Sequence, residues 1–249
     1  MKIITLGTGH GYHTSRSFNS STLFEISGKL YLFDTGEPVT GLMVRKHKSV
    51  SDLKAVFITH MHGDHVSGLP VLINTLLWQP IEGQHTDIFL TEKEVPKVLE
   101  AWMNIMHTPV DPKFITLKVV TLSQFYQDEN IKVTAIQTKH LHLDGSPVSF
   151  AYKIEAEGKK ILCSGDLRGD FSDFPEIVQQ EPFDLCICEA THYQPSSALP
   201  VFIKCPLKRL IFNHIYDDWY DEGEKRLLDH YKTLPYPVEI AHDGDEFIL

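Results

Sequence analysis

Long apolar runs, paired cysteines and an excess of positive charge are all missing from this 249-residue sequence. No apolar run approaches the roughly 20 residues that a membrane-spanning helix needs. The first residues read as a strand and not as a secretion signal with a cleavage site. We therefore expect a cytoplasmic protein with no membrane partner, folded as one domain over residues 1–249.

The four cysteines, at positions 163, 186, 188 and 205, form no CxxC pair and no secreted-framework spacing. We expect them to be reduced and mostly buried, and not to bind metal.

Acidic residues outnumber basic ones by 33 to 23, which gives a formal net charge of −10. Broad nucleic-acid binding draws on dense lysine and arginine, so this balance disfavours it. A small phosphodiester stays open, because the local charge of a metal ion can outweigh the field of the whole chain.

Histidine, in contrast, is abundant, with 14 residues. Three histidines and an aspartate fall within Thr59–His65, directly after the apolar run Leu53–Ile58, which predicts a buried strand. Imidazole and carboxylate groups at a strand end are strong ligands for first-row metals. A solvated histidine-rich turn is the alternative, but it would crowd titrating groups together without satisfying their lone pairs. The cluster therefore predicts a metal site.

The pattern H-x-H-x-D-H resembles the signature of the metallo-β-lactamase superfamily of hydrolases. That resemblance implies an α/β fold, a four-layer αββα sandwich of two mixed sheets flanked by helices. It also implies that His60 and His62 bind one metal ion, and that Asp64 and His65 bind a second. The opening loop with Asn19-Ser20-Ser21, the Glu-Ala-Thr motif at 189–191 and the Ala-His-Asp-Gly ending resemble the ribonuclease Z-like and phosphodiesterase branch.

The resemblance also supplies the remaining ligands. His140 follows a predicted strand and would complete the first metal's set, with His142 as the alternative, since one residue separates them. Asp166, in a turn after a predicted strand, matches the aspartate that bridges the two ions. Such a carboxylate offsets part of the repulsion between two cations. His214, after another apolar strand, matches the last ligand of the second metal.

Several further residues are candidates for supporting or catalytic roles. Asp34 is expected to hydrogen-bond the metal loop, unless Asp34-Thr35-Gly36 is a simple turn. Glu189 is expected to hydrogen-bond a site histidine and assist proton transfer, and His192 is a weaker candidate. His242 is expected to contact the substrate or its leaving group. The predicted catalytic set consists of Asp64, Glu189 and His242.

Periodicity predicts two helices in the part of the sequence that follows the metal loop. One covers Val66–Leu77. The other covers Glu92–Met106, and its predicted buried face consists of Val95, Val98, Leu99, Trp102, Ile105 and Met106.

Together these features predict a dinuclear hydrolase in which a hydroxide shared by the two ions attacks the substrate. Imidazole and carboxylate ligands favour zinc, with manganese or iron as alternatives.

The compact length of the chain resembles that of phosphodiesterases that act on small cyclic nucleotides or sugar phosphates. Processing of tRNA is less favoured, because we find no basic or glycine-rich insertion. The same ligands are compatible with hydrolysis of a lactone or thioester, and with a metal-dependent ligand sensor that has no turnover. A homodimer is a further expectation from the resemblance.

Overall fold

The computed structural model describes residues 1–141 and 146–249. The chain forms two compact units, one made of residues 1–120 and 243–248, the other of residues 121–242 with Leu249. Each unit is built on one mixed sheet of seven strands with flanking helices, which confirms the predicted α/β class. The prediction of a single domain over residues 1–249 stays a prediction.

The sheet of the first unit has the strand order β14-β1-β2-β3-β4-β5-β6. Its strands are β1 (Lys2–Gly7), β2 (Ser21–Ile26), β3 (Lys29–Phe33), β4 (Leu53–Phe57), β5 (Thr86–Leu90), β6 (Ile115–Val119) and β14 (Asp245–Ile248). Strands β14 to β3 pair antiparallel, whereas β3 to β6 pair parallel. A parallel sheet buried on both faces requires apolar residues in succession, and β4 supplies Ala55, Val56 and Phe57, all fully buried.

The sheet of the second unit has the order β13-β12-β11-β10-β9-β8-β7. Its strands are β7 (Ser123–Gln127), β8 (Ile131–Gln137), β9 (Phe150–Ala156), β10 (Lys159–Cys163), β11 (Leu185–Ala190), β12 (Leu210–Ile215) and β13 (Val238–Ile240). It repeats the plan of the first sheet, because β7 to β10 pair antiparallel and β10 to β13 pair parallel.

Seven α-helices flank the sheets in the described ranges. They are α1 (Val39–Arg45), α2 (Gly63–Val66), α3 (Leu69–Trp78), α4 (Val95–Ile105), α5 (Ile177–Gln180), α6 (Pro195–Phe202) and α7 (Glu222–Tyr231). Two short 3-10 helices cover Val50–Asp52 and Asp217–Trp219. None of the helices in these ranges is long and apolar enough to cross a membrane.

The helix predicted over Val66–Leu77 is α3, which begins three residues later, at Leu69, because a separate short helix, α2, ends at Val66. Gly68 lies at the break between them. A Cβ atom there would lie 2.7 Å from the carbonyl oxygen of Thr35, so only glycine permits this approach of the two segments. The break lets α2 continue the metal loop, while α3 packs Leu72 and Ile73 into the core.

The predicted buried face of α4 is largely wrong. Its buried residues are Leu99 and Met103, whereas Val98, Trp102 and Ile105 are between 54% and 71% exposed. The apolar residues of this helix cover an arc wider than one face, and hydrophobic period alone does not indicate which part of the arc meets the sheet.

All four cysteines are buried thiols, as predicted. Burial raises the pKa of Cys205 to about 12, and it also raises the pKa of Cys186. Because the thiolate is the reactive form, these two side chains behave as small apolar groups of the second core at neutral pH.

Candidate metal centre

The metal loop of the first unit lies at the carboxyl end of a strand. Strands β3 and β4 are parallel, so the residues that follow them, Asp34 and Thr59–His62, meet at one edge of the sheet. Strand β1 runs in the same direction as β3, because each pairs antiparallel with β2. The loop after Gly7 therefore opens at the same edge. Three separate chain segments supply polar groups there.

Asp34 holds this loop in place, as predicted. Its Oδ1 accepts a hydrogen bond from the backbone N–H of Thr59 (2.7 Å), and its Oδ2 accepts one from the Thr59 hydroxyl (2.9 Å). The Oδ2 atom also lies 2.8 Å from Nδ1 of His65. Asp34 and His65 are 5% and 1% exposed. A buried imidazole held through Nδ1 by a carboxylate binds metal through Nε2, with its ring orientation fixed.

The histidines of the loop converge. Nε2 of His60 and Nδ1 of His62 are 3.0 Å apart, and the ring centroids of His60 and His65 are 4.1 Å apart. Ligand nitrogens bound to one tetrahedral zinc ion at 2.0–2.1 Å lie about 3.3 Å from each other. The His60 and His62 nitrogens therefore fit two ligands of a common ion.

Asp64 is oriented by the glycine-rich opening loop. The backbone N–H of Gly11 donates a hydrogen bond of 2.7 Å to Oδ2 of Asp64, and the same oxygen lies 3.5 Å from Nε2 of His65. Gly36 allows the chain to pass close to this residue, since a Cβ atom there would lie 2.4 Å from the Asp64 carbonyl oxygen. The opening loop thus contacts a predicted metal ligand directly.

The second unit has the same design. Strands β10, β11 and β12 are parallel neighbours, and their carboxyl ends carry Asp166, Glu189–His192 and His214. Strand β8 runs in the same direction as β10, because both pair antiparallel with β9. His140, which follows β8, is thereby brought to the same edge of the sheet.

Asp166 lies at the centre of this group. Its Oδ2 is 3.7 Å from Nε2 of His140, and its Oδ1 is 3.6 Å from Nε2 of His214. Nδ1 of His192 lies 3.8 Å from Oδ2. These distances exceed those of hydrogen bonds, but they are close to the separation of atoms that bind the same ion. The donor set, one carboxylate among imidazoles, fits a divalent metal ion such as zinc.

The rings of the second unit are also held through Nδ1. Nδ1 of His140 donates to the carbonyl oxygen of Leu167 (3.2 Å), and Nδ1 of His214 lies 3.1 Å from the Thr191 hydroxyl. In both residues Nε2 is the atom nearest Asp166. Contacts of this kind fix the imidazole orientation that a metal requires.

Asp34 and His214 both adopt the left-handed backbone region, with φ of 59° and 51°. Aspartate and histidine are among the non-glycine residues that enter this region most often, but the conformation still costs on the order of 1–3 kcal/mol. The buried surroundings of His214, which is 4% exposed, maintain the conformation and aim its ring.

Glu189 is buried and accepts several hydrogen bonds. Its Oε1 accepts from the backbone N–H of Leu167 (2.7 Å), and its Oε2 accepts from those of Thr191 and His192 (both 2.9 Å). Both oxygens lie 3.0 Å from Nδ1 of His192, whose side chain is 31% exposed. The buried Glu189 carboxylate thus contacts the His192 imidazole, which is more exposed to solvent and lies beside Asp166.

The remaining predicted site residues are placed as follows. His142 lies outside the described residues. Nε2 of His242 is 2.8 Å from Oε1 of Glu224 on α7, and its side chain is 48% exposed. The role of His242 toward the substrate stays a prediction.

Two supporting aspartates were not identified as such from the sequence. Asp173 accepts hydrogen bonds from the backbone N–H groups of Lys139 (2.6 Å) and Arg168 (3.0 Å), and so ties the His140 segment to the Asp166 turn. Asp243 accepts from the backbone of Thr8 (2.8 Å) and of Phe18 (2.7 Å), which joins the two ends of the opening loop. The sequence shows an ordinary loop aspartate at position 173, and Asp243 belongs to the Ala-His-Asp-Gly ending, for which the resemblance implied no hydrogen bonds to the opening loop.

Comparison with known proteins gives a consistent picture of the family. The model of a family described as "Anti-Pycsar protein Apyc1" matches residues 1–198. A ribonuclease Z from Listeria innocua is 30% identical over 98% of this chain and 97% of its own length. That alignment spans 302 positions against 249 residues here, so the relative contains segments that this chain lacks. A ribonuclease Z from Exiguobacterium sibiricum is 30% identical over 97% of this chain and 77% of its own length.

Solved structures confirm the fold. The metallo-β-lactamase fold protein YhfI from Bacillus subtilis has a TM-score of 0.79 at 16% identity, covering 99% of both chains. The short form of human tRNase Z has a TM-score of 0.76 at 24% identity, covering 100% of this chain and 99% of its own. Zinc-bound PqqB from Methylobacterium extorquens has a TM-score of 0.75 at 14% identity, covering 100% of both. The predicted metallo-β-lactamase fold is therefore confirmed.

Proposed function

We propose that this chain, which belongs to the Anti-Pycsar protein Apyc1 family and to the ribonuclease Z-like hydrolases of the metallo-β-lactamase superfamily, hydrolyses a small phosphodiester such as a nucleotide. Its membership makes it a metal-dependent hydrolase. The observation that carries the proposal is the position of Asp166 between two histidines. Its Oδ2 lies 3.7 Å from Nε2 of His140, and its Oδ1 lies 3.6 Å from Nε2 of His214.

The ligands that we propose form two sets that share one carboxylate. The first set is His60, His62, His140 and Asp166, and the second is Asp64, His65, His214 and Asp166. Imidazole and carboxylate donors suit zinc, with manganese or iron as alternatives. The support for this assignment is the resemblance of the sequence motifs and the ligand-like spacing within each unit.

Two divalent ions, when bound, supply activated water at neutral pH and stabilise the negative charge that develops on the phosphoryl oxygens. The protein's own contribution is to hold the donors before substrate arrives. Asp34 fixes His65, Gly11 fixes Asp64, and Leu167 fixes His140, each through a hydrogen bond. Asp166 adds a negative charge where two cations would otherwise repel each other.

The pair of Glu189 and His192 is suited to proton transfer. Nδ1 of His192 faces the buried Glu189 carboxylate, so the ring would donate a proton to the leaving oxygen through Nε2. A carboxylate behind an imidazole fixes the tautomer and stabilises the imidazolium form. Asp64 and His242 complete the proposed catalytic set.

A small substrate is favoured over tRNA by two observations. The formal net charge of −10 opposes the approach of a long polyanion. In addition, the ribonuclease Z from Listeria innocua contains segments that are absent here. Its name and that of human tRNase Z nevertheless make tRNA processing the second candidate function.

We further propose that the protein acts in the cytoplasm as a homodimer.

A substrate panel tests the proposed function. Zinc-loaded protein is assayed with bis(p-nitrophenyl) phosphate, a cyclic nucleotide, a precursor tRNA, a lactone and a thioester. We expect kcat/KM to be at least about 100-fold higher for a small phosphodiester than for either carboxylic substrate, because the site is suited to a charged phosphoryl group. Faster cleavage of the precursor tRNA would favour the second candidate. Turnover of the lactone or thioester alone would overturn the phosphodiesterase assignment.

A further inference from the structure

An exposed aromatic side chain lies on the opening loop, one residue after a direct contact to a predicted metal ligand. Gly11 donates its backbone N–H to the Asp64 carboxylate, and the next residue, Tyr12, is 62% exposed. An aromatic ring offers a large, rigid contact surface, and a ring exposed beside a site presents that surface to a bound ligand.

The loop that carries Tyr12 is well anchored. We call residues 10–18 the Tyr12 loop. The N–H of Gly9 donates to the carbonyl oxygen of Phe18 (2.7 Å), and the N–H of Phe18 donates to Asp243 (2.7 Å). Within the loop, the N–H of Thr14 donates to the carbonyl oxygen of Ser17 (3.1 Å). These hydrogen bonds fix the backbone of the loop, so ordering it costs little when a ligand binds.

The ring of Tyr12 is itself oriented. Its centroid lies 5.4 Å from that of His10, with an angle of 71° between the planes, an edge-to-face arrangement. His10 is 7% exposed and therefore gives the tyrosine ring a fixed neighbour on one side. The exposed surface of Tyr12 remains accessible to a planar group.

We infer that Tyr12 is a specificity-determining residue that stacks on the nucleobase of the substrate. This inference rests on the proposed function, and it narrows the substrate class from phosphodiesters in general to nucleotides with an aromatic base. Stacking of a base on an aromatic side chain contributes about 1–3 kcal/mol, measured by substitution with alanine. The same ring offers nothing comparable to a sugar phosphate without a base.

The test measures binding and turnover in the zinc-loaded full chain. Calorimetric titrations compare a nucleoside monophosphate with ribose 5-phosphate for the wild type, Tyr12→Ala, Tyr12→Phe and Trp78→Ala. Trp78 is a matched control, because it is also an exposed aromatic residue, 73% exposed, but lies at the end of α3. Bound zinc is quantified for each variant to show that the metal ligands are intact.

We expect Tyr12→Ala to weaken nucleotide binding about 5- to 150-fold, which corresponds to the stacking range of 1–3 kcal/mol. Ribose 5-phosphate binding should change less than about twofold, and Tyr12→Phe and Trp78→Ala should resemble the wild type. In turnover of a cyclic nucleotide, Tyr12→Ala should raise KM and leave kcat nearly unchanged, since the contact is equal in ground and transition states.

The outcomes separate this inference from the proposed function. Phosphodiester turnover combined with an unchanged preference for the nucleotide in Tyr12→Ala would overturn the role of Tyr12 alone. A nucleotide preference that is lost in Tyr12→Ala, without phosphodiester turnover by the wild type, would support Tyr12 and overturn the proposed reaction. A wild type that binds the two ligands equally would overturn the inference.

Discussion

Replacement of Asp166 with alanine is expected to lower kcat for a small phosphodiester by roughly 1,000-fold, a loss of several kcal/mol of transition-state stabilisation. The reason is that its two oxygens face Nε2 of His140 and Nε2 of His214 at 3.7 and 3.6 Å. Without this carboxylate, less negative charge would offset the repulsion between the two cations. Metal content after dialysis against zinc should fall together with kcat.

Asp170→Ala is the matched control for this change. Asp170 lies four residues further along, its side chain is 55% exposed, and a hydrogen bond from Arg168 lowers the pKa of its carboxyl group. It therefore carries the same charge as an aspartate ligand, but its partners, Arg168 and Ser172, lie at the surface, so kcat and metal content should stay at wild-type levels. Wild-type turnover by metal-replete Asp166→Ala would show that Asp166 is not a bridging ligand.

Asp34→Ala is expected to weaken metal binding about 10- to 100-fold, although Asp34 is not a predicted ligand. The carboxylate accepts hydrogen bonds from the backbone and hydroxyl of Thr59 and lies 2.8 Å from Nδ1 of His65. Alanine removes the acceptor of the buried Thr59 N–H, at a cost of about 1–3 kcal/mol, and it removes the carboxylate that orients the His65 ring. Competition between the protein and a zinc chelator of known affinity measures the change.

The control for Asp34 is Asp52→Ala, which removes an exposed aspartate from a 3-10 helix of the same unit. Its zinc affinity and midpoint of thermal unfolding should match those of the wild type. Asp34→Ala should lower the midpoint, because the buried hydrogen bonds also stabilise the folded state. If Asp34→Ala binds zinc as tightly as Asp52→Ala does, the orientation of His65 does not depend on Asp34.

The sequence was most informative at the ends of strands. Runs such as Leu53–Ile58 and Leu210–Phe212 are mostly apolar because parallel strands are buried on both faces, and a histidine two positions after such a run is conspicuous. This contrast was sufficient to place His60 and His214 at strand ends before the structure was known. The hydrogen bonds of Asp34 were predicted for the same reason, since it follows β3.

Other features depend on contacts that sequence patterns do not contain. Asp243 joins the ends of the opening loop from a position 225 residues beyond Phe18. His192 was only a weak candidate, because the sequence does not show that its Nδ1 lies 3.0 Å from the buried carboxylate of Glu189, three residues earlier. In α4 the apolar arc was visible, but only the packing of Leu99 and Met103 against the core showed which part is buried.

The central claim is that these strand-end side chains hold two divalent ions for phosphodiester hydrolysis, and a zinc titration of chelator-treated protein tests it most directly. Turnover of bis(p-nitrophenyl) phosphate is followed as zinc is added, with bound metal measured on the same samples. We predict no turnover in the stripped protein and a linear rise in turnover that stops at two bound ions per chain. Full turnover in the stripped protein, or a plateau at one bound ion, would contradict the claim.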